Sequence, residues 1–276
     1  MASLKILGSL LLTIFVIGKC SAMSGDISNF LEGVVNAHAF STEQKLEIQN
    51  LKNSKNGRVR LQQDCRPLSR FVNQPSGIYA IKPKNSSPLL VYCDMETENG
   101  GWILVQRVVK GGTISFQKTW SEYEKTFGDI NSNYWLGNSY VHNITQQERY
   151  EVKFVIEHGK NAVNIKFDSF NVEGSENNYK LRLGAPVNIH NVSDYHRELL
   201  QNDNMMFSTQ DKDNDGNLDG NCAVSYGGGW WFNNCTSVIV NSQLIRWESI
   251  CSDCDSVSIL IRPTTQNCVT NLKTPK

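Results

Sequence analysis

From Tyr150 to Ile156 every second side chain is apolar: Tyr150, Val152, Phe154 and Ile156 fall on one face, and Glu151 and Lys153 on the other. Val163, Ile165 and Phe167 repeat the pattern. So do Tyr179, Leu181 and Leu183, which alternate with Lys180 and Arg182, and Val257, Ile259 and Ile261 near the C-terminus. Successive side chains of a strand point to opposite faces, so a period of two bounded by turn residues predicts half-buried strands. Such strands suit an antiparallel sheet with one face on the core. Trp120, Tyr123 and Phe127 follow a helical spacing instead, which predicts a short helix stopped at Gly128.

The N-terminal part has a different pattern. Lys5 precedes an apolar run from Ile6 to Ile17, and Cys20-Ser21-Ala22 offers the small alternate residues that suit signal peptidase. The run is shorter than the roughly 20 residues a bilayer demands, so residues 1–22 are expected to be a secretory signal rather than a span. No other segment is long and apolar enough to cross. Residues 23–63 hold few aromatics, no cysteine and much Asn, Lys and Gln. Ser41 to Gln44 fits a capping box, and Leu46, Ile48 and Leu51 offer a short apolar edge, so a leader with one short helix is expected. Neither a Gly-x-y repeat nor three successive heptads occur, which argues against a collagen stalk or long coiled coil.

Loss of Lys5 and Lys19 with the signal leaves 25 of the 27 basic residues against 27 acidic ones. That near-neutral balance offers no surface for a polyanion, so nucleic acid is excluded as a partner. No Gly-x-Ser-x-Gly elbow, His-Glu-x-x-His or phosphate loop is present, and the five histidines (38, 142, 158, 190, 196) are scattered. His190 with His196 reads as a loop coincidence rather than a metal pair. An enzyme is not expected.

The segment from Asp211 to Cys235 carries the densest chemistry. Asp211, Asp213 and Asp215 alternate and Gly216 follows, as at the opening of an EF-hand loop. The twelfth position is Cys222 rather than Glu, and flanking amphipathic helices are missing, so an EF-hand is excluded. Two readings stand: a calcium loop of carboxylates and free carbonyls, or a solvated acidic turn. Repulsion among clustered carboxylates favours the cation. A glycine run and the Trp230-Trp231 pair then lie between Cys222 and Cys235.

Seven cysteines remain after the signal and should pair in an oxidising compartment. The spacing of Cys251 and Cys254 could also serve zinc or redox chemistry, but it lacks a second such pair and a neighbouring histidine. Sequons occur at Asn85, Asn143, Asn191 and Asn234. Pro88 after the first and Cys235 inside the last make them poorer acceptors, so glycans are expected at Asn143 and Asn191.

The Asp211–Cys235 segment resembles the fibrinogen C-terminal domain of ficolins, tachylectins, angiopoietins and fibrinogen chains. The resemblance extends in order through DCRPLSRF (64–71), SGIYAIKP (76–83), VYCDMETENGGWILVQR (91–107), FGDINSNYWLGN (127–138), NYKLRLG (178–184) and ILIRP (259–263). It implies an α+β fold with a central twisted antiparallel sheet, short flanking helices and a loop-rich calcium-binding lobe. The domain would cover 64–268, leaving a tail at 269–276, with three parts near 64–106, 107–198 and 199–268. Also implied are disulfides Cys65–Cys93 and Cys222–Cys235. Of the remaining three cysteines, Cys251 or Cys254 (Cys254 in the preferred pairing) would join Cys268. The odd thiol would be free or would bridge to another chain as a disulfide-linked homo-oligomer.

By the same resemblance Asp213 and Asp215 would hold Ca²⁺ together with the carbonyls of Leu218 and Gly220. One extra residue before Gly220 makes Asn217 and Asp219 the substitutes. Tyr226, Trp230 and Thr236 would contact an acetylated ligand, although burial is the commoner fate of a tryptophan. This chain departs from the family after Cys235: Thr236 replaces His, Val238 to Ser242 replace Ser-Asn-Leu-Asn-Gly, and the loop before Trp247 is about ten residues shorter. The family function expected is a secreted, calcium-dependent, lectin-like innate-immune protein that binds glycans or acetylated groups on cell surfaces. The alternatives are a protein-binding factor that acts on a receptor or clotting protein through residues 236–256, and a structural matrix component.

Overall fold

The computed structural model describes residues 62–66, 75–187, 193–235 and 237–264. The expected signal and nearly all of the leader, His190, Asn191, Thr236, Cys268 and the tail lie outside the described residues.

The strands are β1 (Gly77–Ile81), β2 (Leu89–Asp94), β3 (Trp102–Val109), β4 (Phe127–Gly128), β5 (Tyr134–Trp135), β6 (Tyr150–His158), β7 (Asn161–Val172), β8 (Leu181–Leu183), β9 (Val238–Ile239), β10 (Arg246–Trp247) and β11 (Ser256–Pro263). Among the described residues four short α-helices accompany them: α1 (Trp120–Tyr123), α2 (Asn138–Thr145), α3 (Asp194–Leu200) and α4 (Cys222–Tyr226). A nine-stranded sheet runs β1-β2-β3-β11-β6-β7-β8, with β5 beside β3 and β4 beside β5. Its pairs are antiparallel, and β9 and β10 form a separate ladder. Among the described residues no helix is long and apolar enough to cross a membrane.

The C-terminal strand β11 lies between β3 and β6, so residues 256–263 belong to the central sheet rather than to the loop-rich part. Tyr150, Val152, Phe154, Ile156, Val257, Ile259 and Ile261 are all buried, as their period predicts. Lys153 is not on a solvent face: it is 1% exposed, with its ammonium 4.4 Å from the Trp102 ring centroid. Arg262 stacks on the same indole at 4.3 Å, and burial pulls the Lys153 ammonium below its usual range against the opposing pull of Glu98 and Asp94. Trp102 thus makes a second buried layer that the alternation of β6 could not report.

The expected helix through Phe127 is also shorter. It ends at Tyr123, and Phe127 and Gly128 enter β4. Gly128 takes φ 92°, and a Cβ there would lie 2.1 Å from the Asn133 carbonyl oxygen, so close backbone approach sets this turn.

Disulfides join Cys65 to Cys93 and Cys222 to Cys235. The third joins Cys251 to Cys254, with Cα atoms 5.3 Å apart, which corrects the expectation that one of them pairs with Cys268. The reason is local. Cys251 and Cys254 lie in one turn, held by the paired Trp247–Cys251 backbone hydrogen bonds (2.9 and 2.8 Å) and by the Cys254 N–H on the Ile245 carbonyl (2.8 Å), whereas β11 separates them from Cys268 along the chain. Non-reducing peptide mapping is therefore expected to recover a Cys251–Cys254 peptide. Recovery of either cysteine linked to Cys268 would refute this pairing.

Candidate functional site

The loop-rich lobe hangs on the sheet through aromatic rings. Tyr123, on α1, lies 5.5 Å from Trp135 of β5 and 5.0 Å from Phe207, and Phe207 lies 5.2 Å from Trp231. The fully buried Tyr123 hydroxyl donates to the Phe116 carbonyl at 2.7 Å and accepts the Gly229 N–H at 2.8 Å. Ser208 and Trp230 exchange two backbone hydrogen bonds, which brings the start of the acidic loop alongside the glycine run.

The three alternating aspartates separate in space. Asp211 is taken up by the scaffold: its Oδ1 accepts the Trp120 N–H at the start of α1 (2.8 Å) and the Thr209 hydroxyl (2.8 Å). Lys212 sits 3.8 Å over the Trp120 ring. Asp213 begins a series of side-chain turns: its Oδ1 accepts the Asp215 N–H (3.3 Å), Asp215 Oδ1 accepts that of Asn217 (2.8 Å), and Asn217 Oδ1 accepts that of Asp219 (3.2 Å). Asp215 Oδ2 also accepts the Cys222 N–H at 2.8 Å, which fixes the loop to α4 and the disulfide. Gly216 donates to the Asn233 carbonyl at 2.6 Å, and a Cβ there would come within 2.9 Å of the same oxygen.

Burial raises the Asp215 carboxyl above its usual range, and the neighbouring Asp213 carboxylate adds to the shift against the Cys222 and Asn217 N–H donors. Two carboxylates held close enough to repel, in a loop rich in oxygen donors, suit a hard cation. Among the described residues no three of His, Cys, Asp and Glu converge as a metal cluster, so an ion here would draw on backbone carbonyls as well. Leu218 is 100% exposed, with its side chain in solvent, and Gly220, Asp219 and Asn217 follow the same turn series.

Of the three expected ligand contacts, two are described. Tyr226 is half-buried at the end of α4, its ring stacked on Phe232 at 5.9 Å. Trp230 is 1% exposed and belongs to the core, with its indole N–H unpartnered, and Thr236 lies outside the described residues. The rebuilt segment after Cys235 packs inward: Val238 and Val240 are buried, and the Asn241 side chain links Gln106 Nε2 (3.0 Å) to the Gly229 carbonyl (2.9 Å). Lys110 pairs with Asp253 beside the Cys251–Cys254 turn. The buried His196 is held by Ser193 at 2.6 Å and packs on the Phe167 ring, and burial lowers its pKa, so it sits in the core as a neutral imidazole. Asn143 is half-buried within α2, with the Thr145 hydroxyl turned into the core, whereas Asn85 and Asn234 are exposed.

A family model described as fibrinogen beta and gamma chains, C-terminal globular domain, matches residues 61–265. A fibrinogen-like protein 1-like protein of Gallus gallus is 40% identical over 200 residues, which cover 70% of this chain and 69% of that protein. Tenascin-R of Homo sapiens is 40% identical over 196 residues, which cover 67% of this chain but only 14% of the much longer relative. The solved fibrinogen-like globe domain of human ANGPTL2 superimposes with a TM-score of 0.68 at 29% identity, covering 74% of this chain and all of that one.

Proposed function

Because the protein belongs to the family of C-terminal globular domains found in fibrinogen beta and gamma chains, we propose that it is a secreted, non-enzymatic recognition protein that docks a protein partner through its loop-rich lobe. One observation carries this reading. The exposed large apolar side chains among the described residues, Leu218 (100%), Val224 (56%) and Leu244 (53%), all fall between 218 and 244. Apolar groups held out on ordered loops and a short helix are what a protein partner buries. Asp213 and Asp215 would hold Ca²⁺ with carbonyls of 217–220, and the ion would supply the charge that stiffens the turn bearing Leu218. The relatives, a fibrinogen-like protein, tenascin-R and an angiopoietin-like globe, agree with a binding or matrix role.

The test is binding of the full chain to intact cells, in calcium and in chelator. Binding is expected in calcium, is expected to be lost on protease treatment of the cells, and is expected to weaken at least tenfold for Leu218→Asp at unchanged thermal midpoint, which is about 1.4 kcal/mol. Binding that survives both treatments would refute it. The lectin-like reading keeps one supporting observation, the half-exposed Tyr226 ring backed by Phe232, a plate on which an acetyl methyl can pack. Acetylated sugar beads probe it, and no retention with calcium or chelator rejects it.

A further inference from the structure

Between the turn that follows β3 and the loop that follows β9 lies a cleft of about 310 Å³, whose lining includes no residue from 211 to 226. That is the lower end of the size range of small-molecule sites, roughly 300–1,000 Å³.

Both walls are braced from behind. Asn133, itself buried, accepts the Val109 N–H at 2.9 Å and donates to the Ile114 carbonyl at 2.7 Å, closing the turn into a ring. A Cβ on Gly112 would come within 2.3 Å of Asn133 Oδ1, so only glycine permits this closure. On the other wall the Ser242 hydroxyl donates to the Tyr226 carbonyl (2.7 Å) and accepts the Leu244 N–H (3.3 Å). Gly111 (φ 76°) and Gly227 (φ 75°) line the space as bare backbone, and a Cβ on either would meet nothing within 4 Å. The hollow is thus formed by backbone already locked, not by side chains that must move.

The chemistry of the lining is specific in what it omits. No charged residue contributes to it. Val109, Ile114 and Phe116 give an apolar surface, while Thr113, Ser115 and Gln243 offer hydrogen-bonding groups. Among the described residues the side chains of Thr113 and Gln243 have no partner. An ionic ligand would lose its hydration here without gaining a counter-charge. We propose that this cleft binds a small uncharged molecule, about the size of one sugar ring, with hydroxyl or amide groups arranged around an apolar face. The lining excludes Asp213, Asp215, Leu218 and Val224 but its Gln243 wall adjoins Leu244, so Thr113, on the opposite wall, is the position at which the two sites fail separately.

The experiment is saturation-transfer NMR on the full chain with glucose, galactose, N-acetylglucosamine and N-acetylgalactosamine, each against an inorganic phosphate control. At least one neutral probe is expected to give transfer with or without calcium, and phosphate none. Thr113→Trp and Gln243→Trp replace exposed side chains and fill the cleft, so each is expected to weaken binding at least tenfold with the thermal midpoint unchanged. Tyr226→Ala, which keeps the backbone carbonyl that Ser242 uses, is expected to leave it intact. No transfer from any neutral probe, transfer that survives both tryptophan variants, or loss only in Tyr226→Ala would each overturn the assignment. Cell binding retained by Thr113→Trp, on the wall away from Leu244, separates this outcome from that of the protein-docking reading.

Discussion

Calcium added to chelator-treated protein is expected to raise its thermal midpoint by about 5–10 °C, since a ligand at about 100 times its dissociation constant contributes ~2.7 kcal/mol and each kcal/mol moves a domain of this size by about 2–4 °C. Asp213→Asn is expected to abolish that gain and, in chelator at neutral pH, to leave the protein more stable than the wild type. The second half follows from Asp215. Its carboxyl is raised in the ion-free fold by burial and by the adjacent Asp213 carboxylate. A carboxyl raised on folding contributes stability that is full below the unfolded value of 3.8 and is lost as pH rises through the folded value. At neutral pH the ion-free loop therefore bears the repulsion in full. Asparagine at 213 removes the charge and keeps an oxygen for the Asp215 N–H. Comparing chelated wild type with chelated Asp213→Asn across acid pH isolates this contribution: the difference should shrink as pH falls. A wild type indifferent to calcium, or a variant that still responds to it, would sink the calcium assignment.

The sheet was legible in the amino-acid order because a strand writes its two faces into alternate residues: β6 and β11 bury the residues that alternation selects, and β7 buries Ile165 and Phe167 while Val163 stays half-buried. Contacts distant in sequence were not legible. Lys153 reads as outward until Trp102 and Arg262, which lie on other strands, cover it. Asp211, Asp213 and Asp215 are equivalent by spacing, yet Asp211 caps a helix 91 residues earlier, and only the other two remain close enough to interact. Cys254 looks free to meet Cys268 until the turn before β11 sets it beside Cys251. The cleft had no local signal at all, because its walls come from residues between 109 and 116 together with Asn133, Gly227, Ser242 and Gln243. The one hint was compositional: Gly111 and Gly112 in succession after an apolar run mark a turn with unusual backbone.

The adjacent tryptophans provide the other large expected effect. Trp230 and Trp231 are each 1% exposed and would be judged equal by burial. Their indole nitrogens differ. Trp231 Nε1 donates to the Tyr179 carbonyl at 2.7 Å, whereas Trp230 Nε1 has no partner. Tyr179 and its neighbour Asn178 both hold positive φ, 49° and 52°, a conformation that side chains disfavour and that surrounding contacts must maintain. Replacement of Trp231 by Phe strands a buried carbonyl beneath that strained pair and opens a void against Phe207, Trp135 and Phe170. The stranded carbonyl alone costs about 1–3 kcal/mol, and with the void the total is expected to reach about 2–4 kcal/mol. Trp230→Phe leaves a similar void but removes an unsatisfied donor, which offsets part of the loss, so about 1 kcal/mol is expected. Urea unfolding of the two variants at equal slope measures the difference. Trp231→Phe should have the lower midpoint by a clear margin. Equal midpoints, or a lower one for Trp230→Phe, would show that packing alone, not the Trp231–Tyr179 hydrogen bond, holds the lobe to the sheet.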